Sequence, residues 1–298
     1  MRVRFWGVRG SIPAPGPHSI RYGGNTTCIE VRGDDNSLII LDAGTGIFPL
    51  AQVLLRQMPV VANVFITHTH WDHIQGLPFF TPLYIPGNTV RIYGARDVVT
   101  GAGIDRVMDV QMQYSYFPIN ATQVANGIEY VTLDPEQSVT VGSVTVTSMM
   151  LNHPVTNFGY RIDADGKSLF FTGDHEAWAN IYAPDDEDHA DFQQMIDMQQ
   201  GQLDRRLSGI DLLIADSSYT AAEYPAKIGW GHGTLEGNIE WARRLGVKKL
   251  VCTHHEPTRS DDELERVFAA ALESTGYSPG REGGPEVVLS SEGLELIL

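Results

Sequence analysis

The stretch THTHWDHIQG, residues 67–76, places three histidines and an aspartate within six positions. The preceding run NVFI is rich in apolar, β-branched residues and predicts a buried strand. Side chains two apart on a strand point the same way, so His68 and His70 can bind one ion. The turn that follows directs Asp72 and His73 towards a second ion close by. A polar helix cap is the alternative interpretation, but this density of ligand side chains favours a metal site.

Three further metal ligands are predicted where other strands end. His153 follows VTVTSMMLN, Asp174 follows SLFFTG, and His254 follows KLVCT. His255 is an open alternative to His254, which we prefer because it directly follows the apolar strand. The complete set comprises His68, His70 and His153 for one ion, Asp72, His73 and His254 for the other, and Asp174 as the bridge. A bridging carboxylate offsets the repulsion between cations about 3.5–4 Å apart.

Two divalent ions would explain why strands end in imidazoles and carboxylates. These ligands suit zinc best, and also manganese or iron. A metal pair lowers the pKa of a shared, bridging water, so that hydroxide is available at neutral pH to attack phosphorus or a carbonyl carbon. The ions also neutralise the charge that builds on oxygens in the transition state.

The charge balance limits the class of partner. The chain has 298 residues, with 37 Asp and Glu against 21 Lys and Arg, and a formal charge of −16. A surface this acidic repels polyanions, so we expect no extended nucleic-acid surface. A small anionic substrate is compatible with this charge if metal cations reverse the field in one pocket.

Cysteine usage and the chain's hydrophobic runs bear on its compartment. The two cysteines, Cys28 and Cys252, lie in apolar, strand-like contexts and form no CxxC motif, which fits a reducing compartment. The start, MRVRFWGVRGSIP, has no apolar signal-peptide stretch, and no run approaches the length of a membrane span. We therefore expect a cytoplasmic protein that does not enter the membrane.

Strand and helix patterns alternate along the chain, and several strands come as hairpins. This mixture predicts two mixed sheets with helices outside, which is a four-layer αββα sandwich of the α/β class, in one domain over residues 1–298. The segment 178–208 is predicted to be an insertion, with an acidic loop and then a helix that lies on the domain through Phe192, Met195, Met198 and Leu203. The final stretch, EVVLSSEGLELIL, predicts a closing hairpin.

With these motifs in place, the chain resembles the metallo-β-lactamase superfamily over nearly its whole length. THTHWDHIQG is similar to the signature loop of that family, and LDAGTG to its first motif. His153, Asp174 and His254 correspond in order to its later ligand motifs. The presence of His70, where the flavodiiron oxidoreductase branch has a glutamate, implies hydrolysis rather than oxygen chemistry.

Two stretches resemble the branch that contains tRNase Z and small phosphodiesterases, including phosphoribosyl cyclic phosphodiesterases. They are FWGVRGSIPAPG with RYGGNTTCIEV, and GWGHGTLEGNIEWA, which is similar to the His-Ser-Thr motif but has Gly233 where Ser is usual. No long basic, Gly-rich arm of the kind that tRNase Z uses on tRNA is apparent in the sequence. Relatives in the family are often dimers, so a homodimer is an expectation by analogy.

Asp72, His232 and Glu236 are the candidate catalytic residues. His232 lies in the turn GWGHG, just before a helix whose N-cap is predicted to be Thr234. The resemblance assigns it the role of the general acid, while a helix cap is the alternative. Glu236 is four residues further on, one helical turn away, and is predicted to orient the His232 imidazole.

A few other side chains are assigned less specific roles. Asp42 either hydrogen-bonds a ligand histidine or simply forms a turn, and Glu176 either supports the site or lies on the surface. Arg9, in VRGSIP, can contact a phosphate if its loop faces the pocket. Tyr114, Tyr116 and Phe117 either stack on a ring of the substrate or pack on the core.

The sequence therefore predicts a dinuclear metal hydrolase, with a phosphodiesterase acting on a cyclic nucleotide or a sugar cyclic phosphate as the leading hypothesis. Hydrolysis of a lactone, a thioester or another carbonyl compound is the first alternative. tRNA 3′ processing and a non-catalytic sensing domain are the others, although none of the seven ligand positions is degenerate.

Overall fold

Two seven-stranded sheets lie at the centre of the fold. The computed structural model describes residues 1–119, 128–277 and 284–298. The first sheet has the order β14-β1-β2-β3-β4-β5-β6. Its strands are β1 (Arg2–Gly7), β2 (Cys28–Arg32), β3 (Leu38–Leu41), β4 (Val61–Phe65), β5 (Thr89–Ala95), β6 (Ile128–Leu133) and β14 (Glu295–Ile297).

The second sheet mirrors the first in size and has the order β13-β12-β11-β10-β9-β8-β7. Its strands are β7 (Ser138–Val141), β8 (Val144–Leu151), β9 (Asn157–Ala164), β10 (Lys167–Phe171), β11 (Leu212–Asp216), β12 (Lys249–Thr253) and β13 (Glu286–Leu289). The helices are α1 (Ile47–Leu54), α2 (Trp71–Ile74), α3 (Ile104–Gln111), α4 (His189–Leu207), α5 (Leu235–Leu245) and α6 (Asp261–Ser274).

Three buried apolar clusters hold four layers together. The central cluster joins the sheets, with Phe65 from the first packed near Tyr160 of the second at a ring distance of 5.4 Å. A second cluster joins α1 and α3 to the outer face of the first sheet, and a third joins α4, α5 and α6 to the outer face of the second. Because each sheet buries both faces, its central strands are apolar throughout. The predicted αββα sandwich is confirmed.

The closing hairpin predicted for EVVLSSEGLELIL is wrong. β13 pairs in parallel with β12, whereas β14 pairs antiparallel with β1 in the other sheet. The turn at Gly293, with φ +86°, therefore carries the chain from one sheet to the other. The stretch has the residue pattern of a hairpin. However, β12 and β1 would each have an unpaired edge, and the two segments of the stretch pair with these two different strands.

The segment 178–208 consists of a loop followed by α4 on the outside of the second sheet. Leu203 is buried as predicted, together with Ile196 and Leu207. Met195 and Met198 were expected to face the domain but are 40% and 57% exposed. The seven- and four-residue spacings of the buried positions place them on one face, and the two methionines lie beside it. No helix among the described residues is long and apolar enough to cross a membrane.

Candidate metal centre

The ends of four strands converge at one edge of the sandwich. β4 leads into the stretch with His68, while β8, β10 and β12 lead to His153, Asp174 and His254. β8 and β10 both run antiparallel to β9, and β10 and β12 both run parallel to β11. The carboxyl ends of these three strands therefore share an edge, and the first sheet brings its ligands to them across the interface between the sheets.

The seven predicted ligands form two groups that share Asp174. In each group the ligand atoms lie within 4.8 Å of one another. The groups are His68, His70, His153 and Asp174, and Asp72, His73, His254 and Asp174. The division predicted from the sequence is the division that the structure shows, while metal binding by each residue stays a prediction. His254 and not His255 belongs to the centre, because His255 Nε2 donates to the Ser290 carbonyl, 2.8 Å away.

The two oxygens of Asp174 face different groups. Oδ1 lies 3.2 Å from His73 Nε2 and 3.1 Å from His254 Nε2. Oδ2 lies 3.6 Å from His68 Nε2. Asp174 itself is buried at the centre. A carboxylate placed in this way has the geometry of a bridge between two ions.

Hydrogen bonds to the outer ring nitrogens fix the orientation of three ligand histidines. His73 Nδ1 donates to Asp42 Oδ2 at 2.7 Å, and His153 Nδ1 donates to the Gly231 carbonyl at 2.9 Å. His254 Nδ1 donates to the Ser218 hydroxyl at 2.9 Å. In each case Nε2 is left for the centre, and such outer partners raise the basicity of a ligand imidazole. Of the two roles considered for Asp42, the structure shows the hydrogen bond to a ligand histidine.

The N-terminal loop closes over the second group. The Ser11 backbone N–H donates to Asp72 Oδ2 at 2.7 Å. A side chain at Gly10 would meet the His254 ring at 2.4 Å, so only glycine permits this approach. Arg9 does not reach the centre. Its buried guanidinium donates to backbone carbonyls at positions 23, 256 and 259, so the phosphate contact considered for Arg9 is wrong.

His232 lies beside the ligands and is held by Asp216. Its Nδ1 donates to Asp216 Oδ2 at 2.9 Å and lies 3.6 Å from Asp174 Oδ2. Burial lowers the pKa of His232, but the carboxylates of Asp216 and Asp174 outweigh this effect and raise the pKa to about 9. The hydrogen bond to Asp216 therefore positions the imidazole as a proton donor beside the ligand groups.

The predicted contact between Glu236 and His232 is wrong. The Glu236 carboxylate accepts the backbone N–H of Ala221 at 2.8 Å, while Asp216 occupies the place next to the imidazole. Thr234 caps α5 as predicted, accepting from the Gly237 N–H. His232 precedes α5 and is not part of it, so a spacing of four residues does not place Glu236 and the ring on one helix face.

Glu176 is buried and fastens the loop that carries His232. Its carboxylate accepts the Tyr224 hydroxyl at 2.6 Å and the backbone N–H groups of Gly229 and Gly231 at 2.9 and 2.7 Å. The Gly231 carbonyl in turn accepts from His153. Glu176 therefore links the 224–231 loop to the metal centre, and it does not lie on the surface.

The donor atoms of the centre fit divalent metal ions. His68 Nε2 and Asp174 Oδ1 are buried and have no hydrogen-bond partner among the described residues. Buried polar atoms are normally satisfied, and these two atoms face different ligand groups, so each group has a buried ligand atom available for a cation. Five imidazoles and two carboxylates suit zinc, manganese or iron.

Two residues that support the site escaped the sequence analysis. Asp216 and Ser218 lie at and just after the end of β11 in DLLIADSSY, a pattern that predicts a strand followed by a turn. Ser218 accepts from His254 and donates to Asp216 at 2.6 Å, so the pair joins His254 to His232. The available signal was an acidic residue directly after an apolar strand, the same pattern that identified Asp174.

Comparisons with known proteins agree with this geometry. A family model described as the β-lactamase superfamily domain matches residues 38–255. Ribonuclease BN of Cronobacter sakazakii is 24% identical over 313 residues, which cover 90% of this chain and 93% of that protein. The metallo-β-lactamase fold protein YhfI from Bacillus subtilis superposes with a TM-score of 0.68 at 18% identity over 99% of both chains. A diphosphatase from the PhnP family superposes with a TM-score of 0.64 at 19% identity, covering 100% of this chain and 97% of that one.

Proposed function

The chain belongs to the metallo-β-lactamase superfamily of hydrolases, and on that premise we propose that it is a dinuclear metal phosphodiesterase acting on a small phosphodiester. The observation that carries the proposal is the His232–Asp216 pair beside the two ligand groups, since ester cleavage at phosphorus needs a proton for its leaving oxygen. Ribonuclease BN and the diphosphatase are named for cleavage at phosphorus, and these names support the proposal.

The two ligand groups would hold one divalent ion each, with Asp174 shared between them. Ions bound there would lower the pKa of a water molecule and neutralise charge on the phosphate oxygens. Zinc is the metal we propose first, and manganese and iron suit the same ligands. Asp72, held by the Ser11 N–H, keeps its carboxylate directed at the second group while substrate binds.

His232 supplies the proton that completes hydrolysis. Water adds to phosphorus and loses one proton to solvent, the ester P–O bond breaks, and its electron pair stays on the leaving oxygen; solvent returns a proton to His232 after turnover. That oxygen takes the proton from Nε2 of His232, whose Nδ1 side is held by Asp216. Asp216 stabilises the imidazolium before the proton transfer and holds the ring in the orientation that the transfer requires.

A substrate panel tests this proposal against carbonyl hydrolysis. The full chain would be loaded with zinc, manganese or iron, its metal content measured, and turnover followed on bis-p-nitrophenyl phosphate, cyclic AMP and a lactone. We expect two ions per chain and turnover of the phosphodiesters. Lactone turnover with none on either phosphodiester, under every metal, would show that the proposal is wrong.

Processing of tRNA 3′ ends is the second candidate, and the similarity to ribonuclease BN over 90% of the chain favours it. The formal charge of −16 opposes it, because a polyanion must be drawn to the surface. Precursor tRNA and cyclic AMP should be compared at the same low salt concentration. A higher kcat/KM on precursor tRNA would favour this second candidate over the first.

A further inference from the structure

A cavity of about 720 Å³ lies between the ligand loop and α3. Its volume is in the range of small-molecule sites, about 300–1,000 Å³. Thr69 and Trp71 form one wall, and they flank the metal ligand His70 in the chain. His70 is the exposed member of the two ligand groups. The metal centre therefore opens to solvent at the residue whose two neighbours line this cavity.

Four aromatic side chains contribute to the walls. Trp71, Phe79 and Tyr116 line the cavity and are 78%, 56% and 70% exposed. Phe117 also lines it and packs edge-to-face on Phe79 at 5.5 Å. Large aromatic surfaces that stay exposed around a concave site are typical of ligand binding, since the core leaves them uncovered. Of the aromatic loop residues singled out in the sequence, Tyr116 and Phe117 face this cavity, and Tyr114 is not among its lining residues.

Polar groups in the cavity suit a planar, hydrogen-bonding ring. Gln111 Nε2 donates to the Ile74 carbonyl at 2.7 Å, while its Oε1 is buried and accepts no hydrogen bond from the described residues. Arg106 also lines the cavity, and a guanidinium can stack on a ring. Asp97, at the edge, already accepts from Thr100 and from the Val99 N–H, so it is engaged within its own turn.

We propose that this cavity binds the aromatic base of a small phosphodiester whose phosphate lies at the metal centre. The inference rests on the proposed function and narrows it, because a cyclic nucleotide carries a base and a simple sugar cyclic phosphate does not. The base stacks on the rings of Trp71 and Tyr116, and its exocyclic amine is the group that would donate to Gln111 Oε1. Stacking of one base on an aromatic side chain strengthens binding by roughly 5- to 150-fold.

Calorimetric binding of AMP and of ribose 5-phosphate to the zinc-loaded chain tests this proposal. The two ligands share the phosphate and the ribose and differ in the base. We expect AMP to bind about tenfold more tightly or better. Tyr116→Ala should remove most of that difference. The matched control is Tyr114→Ala, which removes a ring that is 78% exposed and outside the cavity, and it should retain the difference within about twofold.

Equal binding of AMP and ribose 5-phosphate would overturn the inference, and so would equal losses in the two tyrosine variants. Both side chains are largely exposed, so both variants should fold, and circular dichroism with metal content checks this. Turnover of bis-p-nitrophenyl phosphate separates the two levels of proposal. Phosphodiester turnover without a preference for AMP over ribose 5-phosphate would contradict the base site alone. A preference for AMP without phosphodiester turnover would contradict the enzymatic function alone.

Discussion

At the scale of single residues, His232 is assigned to proton delivery and not to metal binding. Its ring is held by Asp216, and it lies outside the two groups assigned to the ions, in a third cluster that it forms with Asp216, Asp174 and His254. His232→Ala should therefore keep both ions and slow cyclic AMP hydrolysis by about 10²- to 10⁴-fold. The loss on bis-p-nitrophenyl phosphate should be much smaller, because nitrophenolate leaves without a proton. Metal analysis and kcat on both substrates measure the effect.

Glu236→Ala is the matched control for His232→Ala, because it removes a carboxylate four residues along the chain whose hydrogen bond among the described residues goes to the Ala221 N–H. It should leave kcat on cyclic AMP within about twofold. If His232→Ala instead loses an ion, the residue is a ligand and the proton-donor role is wrong. A large loss of kcat in Glu236→Ala would restore the role that spacing alone predicted for it.

Local sequence predicted residue roles well where the partners are neighbours in the chain. His68, His70, Asp72 and His73 share one turn, so their common purpose is visible in the sequence. The partner of His232 is not visible in this way, because Asp216 comes from the end of another element. Helical spacing suggested Glu236 as the partner of His232, but the Glu236 carboxylate accepts the Ala221 N–H instead.

At the scale of elements, the 224–231 loop is held in place by one buried carboxylate. Glu176→Gln would put an amide NH₂ against the Gly229 or Gly231 N–H, and an unmet buried donor costs about 1–3 kcal/mol. The loop should open more often, so trypsin should cleave after Lys227 about 5- to 150-fold faster. The kcat should fall about tenfold through the displaced His232, and the free energy of unfolding should fall by the same cost, about 1–3 kcal/mol.

Glu240→Gln, an exposed change on α5, is the control for that experiment and should alter neither quantity. The two readouts distinguish positioning from chemistry. Faster cleavage after Lys227 together with a lower kcat supports a positioning role for Glu176. A lower kcat with unchanged tryptic cleavage would contradict it.

Asp211 ties together the starts of three parallel strands in the second sheet. It accepts the Ser168 N–H at 2.9 Å, and Lys248 and Lys167 lie 2.8 and 3.3 Å from its other oxygen. Burial raises its pKa, but these contacts outweigh that and lower the pKa of Asp211 to about 2. A lowered folded-state pKa gives stability above the unfolded value of 3.8, which is lost as the pH falls towards 2.

Asp211→Asn should therefore lower the free energy of unfolding at pH 7 by about 1 kcal/mol, a value reduced for solvent screening. The difference from the unchanged chain should shrink as the pH is lowered from 4 to 2. Urea unfolding of the metal-free proteins across this range measures it. A difference that stays constant over the whole range would rule out the ionised carboxylate as its source.

At the scale of the whole molecule, the fold could be predicted but the pairing of its ends could not. Strand and helix periodicity gave the four layers, because each sheet buries both faces and its strands are continuously apolar. The choice of sheet for β13 and β14 depends on which edges remain open, and that is set by strands far away in the chain. The exposure of Met195 and Met198 likewise depends on which face of α4 packs against the sheet.

The metal centre joins the two sheets, and this has a consequence for stability. Four ligands follow β4 in the first sheet, and three follow β8, β10 and β12 in the second. Ions bound by both sets stabilise the folded chain by mass action, about 2.7 kcal/mol at a free concentration 100 times the Kd. Chelation should therefore lower the melting temperature by roughly 5 °C or more.

Asp174→Ala provides the internal comparison, since it removes the carboxylate common to both groups. This variant should lose its metal and melt at the same temperature with or without chelator, while Glu240→Gln should respond as the unchanged chain does. Because the ions cross the interface between the sheets, calorimetry should show one transition in each state, displaced as a whole by the chelator. A chelator that removes the metal without moving the transition would mean that the ligands from the two sheets do not share their ions.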